Sequence, residues 1–260
     1  MKQNNYFSFL LGFIALFAVY HFPEFYDEFW IMAVFKIGFL LVAFGIAVWQ
    51  GGKGFGAYGL ALKKPWSINL IKGLVIGIFA FALSTWLSTI LGYEKITEIP
   101  TIMAVFQALP MLLLMTAIPS VAEDLLTRGY LWRHLQHKVS GQNWVLLSAA
   151  VYVLNHIWRL DDGAAVLTYL FFLGLLLAFT VWKTKNLWLA FGIHWGSNIA
   201  FESTNGLIKT ESLADGAQST WILAAVWAFI FISFLIFEKI QAKPTGEMTE
   251  NDNNELDFAG

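Results

Sequence analysis

Cysteine is absent from all 260 residues, which removes a disulfide framework, a thiolate metal site and a cysteine nucleophile together. Any catalytic chemistry falls to Glu, Asp, His, Ser, Asn or Arg. Charge is scarce as well: Asp, Glu, Lys and Arg make up 13% of the chain, against about 25% in a soluble domain. An ordinary soluble enzyme is thereby excluded. Nor is there a basic excess, since 16 Lys+Arg stand against 18 Asp+Glu for a net charge of −2. Without a basic field, nucleic acid drops out as a partner. A phosphate-binding fingerprint is missing too. The glycines around Lys53 open no helix of phosphate-binding character and lack the Ser/Thr of a P-loop.

Apolar and aromatic surface is what the chain has in abundance. Hydrophobic residues make up 58%, aromatics 17%, and mean hydropathy is +0.62, so most of the chain must face hydrocarbon or other apolar helices. Runs long enough to cross a bilayer as helices, about 17–25 residues, fall at 6–21, 29–50, 67–92, 101–125, 143–160, 163–182, 187–202 and 219–238. The expected fold is therefore all-α, a polytopic membrane helical bundle of about eight transmembrane helices. The fifth and sixth runs are parted only by Arg159, Asp161 and Asp162, which leaves the count at seven or eight. The first run is read as a retained span, because no small-residue cleavage pattern precedes His21-Phe22-Pro23. The excess of Trp and Phe fits interfacial belts and lipid-facing surface.

Lys and Arg set the orientation. With the N-terminus inside, the cytoplasmic side collects eleven basic residues: Lys2, Lys53, Lys63, Lys64, Lys72, Arg133, Lys138, Lys183, Lys185, Lys239 and Lys243. The opposite side collects Lys95, Arg159 and Lys209. Both termini are thus expected in the cytoplasm, in the cell (inner) membrane of a bacterium. Three segments follow: a two-helix membrane segment at 1–54, a core at 55–240, and a polar, acidic, disordered tail at 241–260. His134 and His137, beside Arg133 and Lys138, are read as solvated or at lipid headgroups, and Lys36 as structural.

Ionisable residues inside spans carry the functional signal, since each costs about 2.5–3.5 kcal/mol to place at a helix centre. The fourth run ends in Glu123-Asp124-Leu-Leu-Thr-Arg128, where Asp124 and Arg128 are spaced i,i+4 and can pair. Glu123 is left without a partner from its own turn. The fifth run holds Tyr152-Val-Leu-Asn155-His156. The seventh holds His194-Trp-Gly-Ser197-Asn198, with His194 and Asn198 on one helix face. Brought together by packing, these groups make one of two hydrolytic sites. Either Glu123 is the general base on a water held by His156 and His194, with Asn198 donating to the oxyanion. Or the two imidazoles and Glu123 bind a divalent metal such as zinc that acidifies the water. A non-catalytic immunity or scaffold protein and an ion-coupled transporter are the other classes such residues admit. The latter lacks the paired Gly/Pro-broken helices of inverted-repeat transporters.

The three segments, Glu123-Asp124-x-x-x-Arg128, Tyr152-x-x-x-His156 and His194-x-x-x-Asn198, resemble the motifs of the CPBP intramembrane proteases. That family includes the CAAX prenyl endopeptidases and bacterial Abi proteins, and its pattern is Glu-Glu-x-x-x-Arg, Phe-x-x-x-His and His-x-x-x-Asn or Asp. The resemblance spans about 55–202, including the lead-in from Tyr58 to Gly77. It implies Glu123 as the base that activates water, Arg128 as its motif partner, His156 and His194 as further catalytic positions and Asn198 on the oxyanion side. It also implies a membrane-associated peptide or protein substrate and leaves metal dependence open. Asp124 departs from the pattern by one methylene, which bears on the positioning of Arg128; Tyr152 keeps the ring and adds a hydroxyl.

Helical rise places Glu123 near the cytoplasmic face and His156 higher. Reconciling their depths predicts either a surface helix and turn over 128–147, with the fifth span entering near Ser148, or a fourth span bent at Pro119. The site is expected as a cavity open to the cytoplasm.

Overall fold

The computed structural model describes residues 3–26, 28–213 and 217–241. Eight helices stand where the apolar runs were read: α1 (Gln3–His21), α2 (Phe29–Trp49), α3 (Trp66–Ile90), α4 (Ile102–Asp124), α6 (Gly141–Asn155), α7 (Ala164–Thr184), α8 (Trp188–Glu202) and α9 (Ala217–Gln241), with the short α5 (Tyr130–Leu135) after α4. Caps fix several ends: Thr101 Oγ1 accepts from Ala104 N at 3.3 Å and Ser140 Oγ from Asn143 N at 3.3 Å. Large apolar side chains face outward, among them Trp30 at 75% and Ile99 at 78% exposed. That is the reverse of a soluble surface and fits hydrocarbon as solvent. The chain is an integral membrane protein, and its fold is the expected all-α polytopic bundle.

Among the described residues, six helical stretches are long and apolar enough to cross a membrane. The other two, α6 and α8, have 15 residues each, about 22 Å of helix against a hydrocarbon core of about 30 Å. Both short helices carry site residues; α8 is largely buried, while α6 turns Leu146 and Leu154 outward at 54% and 59% exposure. The fifth run was read through residue 160 but ends at Asn155. His156 takes φ −90° and ψ 50°, and its ring Nδ1 lies 2.8 Å from the Tyr152 carbonyl. The side chain thus occupies the acceptor that a continuing helix would give to a backbone N–H.

The fourth helix corrects the sequence reading more substantially. After Asp124 it continues through one π turn, Leu125–Gly129, into α5, making an apolar stretch of 34 residues from Ile102 to Leu135. Leu125 to Trp132 are all buried, so 128–135 is no surface helix. Ser148 Oγ donates to the Thr127 carbonyl at 3.0 Å, and Trp132 meets Trp144 edge-on at 4.7 Å. The first turns of α6 are therefore packed beside this extension. The depth conflict disappears because about 18 Å of helix runs below Glu123 before the chain turns.

Glycine sets the tightest pairing in the molecule, α3 on α8. Gly73 and Gly77 face Gly192 and Gly196 in two small-xxx-small stripes. A Cβ on Gly73 would sit 2.5 Å from the Leu189 carbonyl oxygen, and one on Gly196 2.5 Å from that of Leu74. At one end of the bundle β1 (Glu94–Glu98) pairs antiparallel with β2 (Lys209–Ser212). The other end carries the loops at 50–65, 136–140 and 185–187. His134, read as solvated, instead packs between Phe9 and Tyr130 and lies 3.0 Å from Gln50 Oε1. Lys36 is structural as read: its ammonium donates to the Tyr20 carbonyl at 3.2 Å and pairs with Glu24 at 3.4 Å.

Candidate active site

Residues of three helices, α4, α6 and α8, meet at Glu123. It stands one residue before the end of α4, buried at 6% exposure. Its Oε1 accepts from Asn155 Nδ2 at 3.1 Å and lies 3.5 Å from His156 Nε2, while Oε2 lies 3.6 Å from His194 Nε2. Both imidazole distances exceed a direct hydrogen bond and suit a bridging water. The far nitrogens explain why Nε2 faces the carboxylate in each ring. His156 Nδ1 is engaged by the Tyr152 carbonyl, and His194 Nδ1 by Asp124 Oδ1 at 3.2 Å. With the Nδ1 protons donated outward, each Nε2 presents a lone pair toward Glu123.

Asp124 and Arg128 form the buried i,i+4 ion pair expected, both wholly inaccessible. The shorter acidic side chain still reaches two partners, Arg128 Nη1 and His194 Nδ1. Arg128 also donates to Thr127 Oγ1 at 3.0 Å and lies over the Tyr152 ring at 4.3 Å. That ring in turn meets His156 and His194 edge-on, at 4.8 and 5.8 Å. On α8, Asn198 Nδ2 donates to Ser120 Oγ at 2.9 Å, which leaves its second N–H available. Six of the seven residues singled out from the sequence are thus joined by direct contacts, and Asn198 lines the same cavity.

Asn155 was quoted in the second motif without a role, yet it is the direct hydrogen-bond donor to Glu123. Behind it stands a chain of contacts that no sequence pattern discloses. Asn155 Oδ1 lies 3.1 Å from His21 Nε2, and His21 Nδ1 lies 2.5 Å from Glu24 Oε2. Asn155 was recoverable as a carboxamide inside an apolar run. His21 ends α1 and Glu24 lies in the turn after it, both more than 130 positions from Asn155, and no spacing rule connects them.

The cluster lines a cavity of about 280 Å³ whose wall includes Glu123, Tyr152, His156, His194 and Asn198. Its lining reaches Glu94, Thr204, Asn205, Thr210 and Ser219, all at the β1–β2 end of the bundle. That is the end opposite the lysine-rich loops assigned to the cytoplasm. Under that orientation, the cytoplasm-open cavity expected from the sequence is not what the structure has. The cause is the α4–α5 extension, which closes the space below Glu123. Arg159 stands at the rim. Burial alone would lower its pKa, but the Tyr169 hydroxyl, 2.7 Å away, and Asp162 hold it above its ordinary value.

As for a metal, the sequence left His156, His194 and Glu123 open as ligands. The structure brings the three together. Yet among the described residues no group of three or more His, Asp or Glu converges closely enough to hold an ion. The chemistry of the three, two imidazole nitrogens and a carboxylate, is that of a catalytic zinc site, and no step below is routed through a metal.

Residues 105–200 match the family described as type II CAAX prenyl endopeptidase Rce1-like. The matched segment contains all three motifs. The match covers 96 of the chain's 260 residues and supports the likeness to the CPBP family of CAAX-type proteases read from the motifs. The matched family is described as an endopeptidase, and the match supports a function of that type. Comparison with curated proteins gives no match.

Proposed function

We propose that this protein hydrolyses peptide bonds of membrane-associated polypeptides with a water that Glu123 activates, without a resident metal. One observation carries the reading: a buried carboxylate faces two imidazole Nε2 atoms at 3.5 and 3.6 Å, with both rings oriented from behind. A water in that gap donates one proton to Glu123 and one to an Nε2 lone pair. Glu123 takes its proton as the water oxygen attacks the scissile carbonyl. Asn198, oriented by Ser120, donates to the oxyanion. When the tetrahedral intermediate collapses, the proton held on Glu123 passes to the leaving amine. Asp124, Arg128 and Tyr152 act as positioning residues, holding His194 and the floor of the site. The protease core covers 55–240, buttressed by α1 and α2, in the cell membrane of a bacterium. The full convergence of the three motifs favours catalysis over a scaffold that merely keeps the fold.

Glu123→Gln keeps size and hydrogen bonding but removes the base, so kcat on a model membrane peptide is expected to fall by about 10²–10⁴. Unchanged turnover in folded Glu123→Gln protein refutes the reading. Metal analysis tests the other half: well under one equivalent of zinc per active chain is expected, with activity persisting after chelation. Stoichiometric metal that disappears in a His156→Ala, His194→Ala double variant refutes it.

A further inference from the structure

We propose that the cavity is loaded from the non-cytoplasmic side of the membrane, and that it takes a polar, hydrated polypeptide stretch adjoining a membrane span on that side. The side of access rests on geometry and charge alone; what is taken up rests on the protease reading above.

Three independent features point the same way. The first is where the mouth lies. Glu94 is in β1, Thr204 and Asn205 in the turn after α8, Thr210 in β2 and Ser219 at the start of α9. Every one of these belongs to the β1–β2 end. The second is a closed floor. Beneath Glu123 the chain runs on through Leu125, Leu126, Thr127 and Arg128, none more than 1% exposed, and Leu125 and Leu126 belong to one buried core with Leu176, Leu177 and Ile193. No route to the site passes through that packing.

The third feature is the charge asymmetry. Among the described residues, and setting aside the buried Lys36 and Arg128, nine of the twelve Lys and Arg stand toward the floor end and three, Lys95, Arg159 and Lys209, toward the mouth end. By the positive-inside rule the floor end is cytoplasmic. Two of the three mouth-side cations are also neutralised by neighbours: Arg159 pairs with Asp162 and Lys209 with Glu98.

The chemistry of the mouth defines what fits it. Hydroxyls of Ser84, Thr85, Ser88, Thr204 and Thr220 with the Asn205 carboxamide line the approach, and such groups satisfy the backbone N–H and C=O of an unfolded segment. Deeper in, Leu170, Leu173, Leu223 and Trp227 form an apolar wall that suits an apolar side chain next to the scissile bond. A fully helical segment would bring no free backbone groups to this rim. The stretch that enters is therefore extended.

The lack of native cysteine makes the test direct, because single-cysteine variants have no background. Asn205→Cys and Ser219→Cys at the mouth and Lys53→Cys at the other end are made in the full chain. Each is treated in intact cells with a membrane-impermeant maleimide, and again after permeabilisation. The mouth cysteines are expected to label in intact cells and Lys53→Cys only after permeabilisation; the reverse pattern overturns the proposed side. Repeating the labelling in Glu123→Gln separates access from catalysis, since accessibility needs no turnover. In a second arm, two single-span model peptides place the same polar stretch on either side of the membrane. Cleavage of the non-cytoplasmic one alone is expected, and cleavage of the cytoplasmic one alone overturns the inference. Cleavage of neither, with labelling as expected, overturns the substrate class while the side of access stands.

Discussion

His194 and His156 face one carboxylate at 3.6 and 3.5 Å, yet they stand on different supports. His194 lies mid-helix on α8, its side chain 3% exposed, clamped behind by the buried Asp124. His156 lies where α6 has just ended, its side chain 18% exposed at the cavity wall, steadied by a backbone carbonyl one turn back. The first position is set by helix-on-helix packing and a buried charge; the second is set by the geometry of a helix terminus. Protein interiors tolerate little adjustment of packed helices. The His194 side is thus the rigid wall of the site and the His156 side the one a substrate meets.

Breaking the rigid wall should have the largest effect. Gly77 abuts the Ile193 carbonyl oxygen and the Ser197 amide, so any side chain there meets backbone rather than a movable side chain. Gly77→Leu forces α3 and α8 apart and displaces His194 and Asn198 together. The expected loss exceeds the ~1–3 kcal/mol typical of an overpacked core, seen as a lowered thermal midpoint in detergent and absent peptidase activity. Gly45→Leu on α2, where a Cβ would meet nothing within 4 Å, supplies the contrasting control and should be tolerated.

Next in size is the clamp. Asp124→Asn preserves volume but strips the charge that balances Arg128, which is wholly buried. Removing one partner of such a pair costs about 3–5 kcal/mol. It also releases the ring Nδ1 of His194 from its acceptor. Stability measured by denaturant titration should fall, with kcat falling further than KM changes. Asp124→Glu, which restores the commoner acid of the motif, should retain most of both, since the pair survives. Equal damage from Asn and Glu would mean that shape rather than charge holds His194.

This contrast also marks what the sequence disclosed. The His194 side was legible: its partners lie at i,i+4 on one helix and in an adjacent motif, and hydrophobic run lengths located both helices. Even the departure at position 124 was visible, although only side-chain geometry shows that an aspartate there serves both Arg128 and His194. The His156 side was hidden in two respects. Its helix stops at Asn155 inside a run that stays apolar, so hydropathy carries no stop signal. The donor to Glu123 depends on His21 and Glu24, which only tertiary packing brings near. The direction of the cavity was misread for a related reason. The run ending at Glu123 was taken as the end of a helix, while a π turn carries the helix onward and closes that side.

The smallest change sharpens the comparison at the residue both walls share. Tyr152 lies under the Arg128 guanidinium and presents its ring to both histidines, and among the described residues its hydroxyl makes no hydrogen bond. If the ring alone matters, Tyr152→Phe is a volume-conserving swap costing under about 1.5 kcal/mol, with kcat essentially unchanged. Tyr152→Ala removes the ring and opens a cavity between the walls, for which about 3–5 kcal/mol is the usual cost. The two variants separate support from chemistry. A Phe variant that keeps its stability but loses turnover would move the hydroxyl from the scaffold into the reaction, because nothing in the packing distinguishes the two side chains.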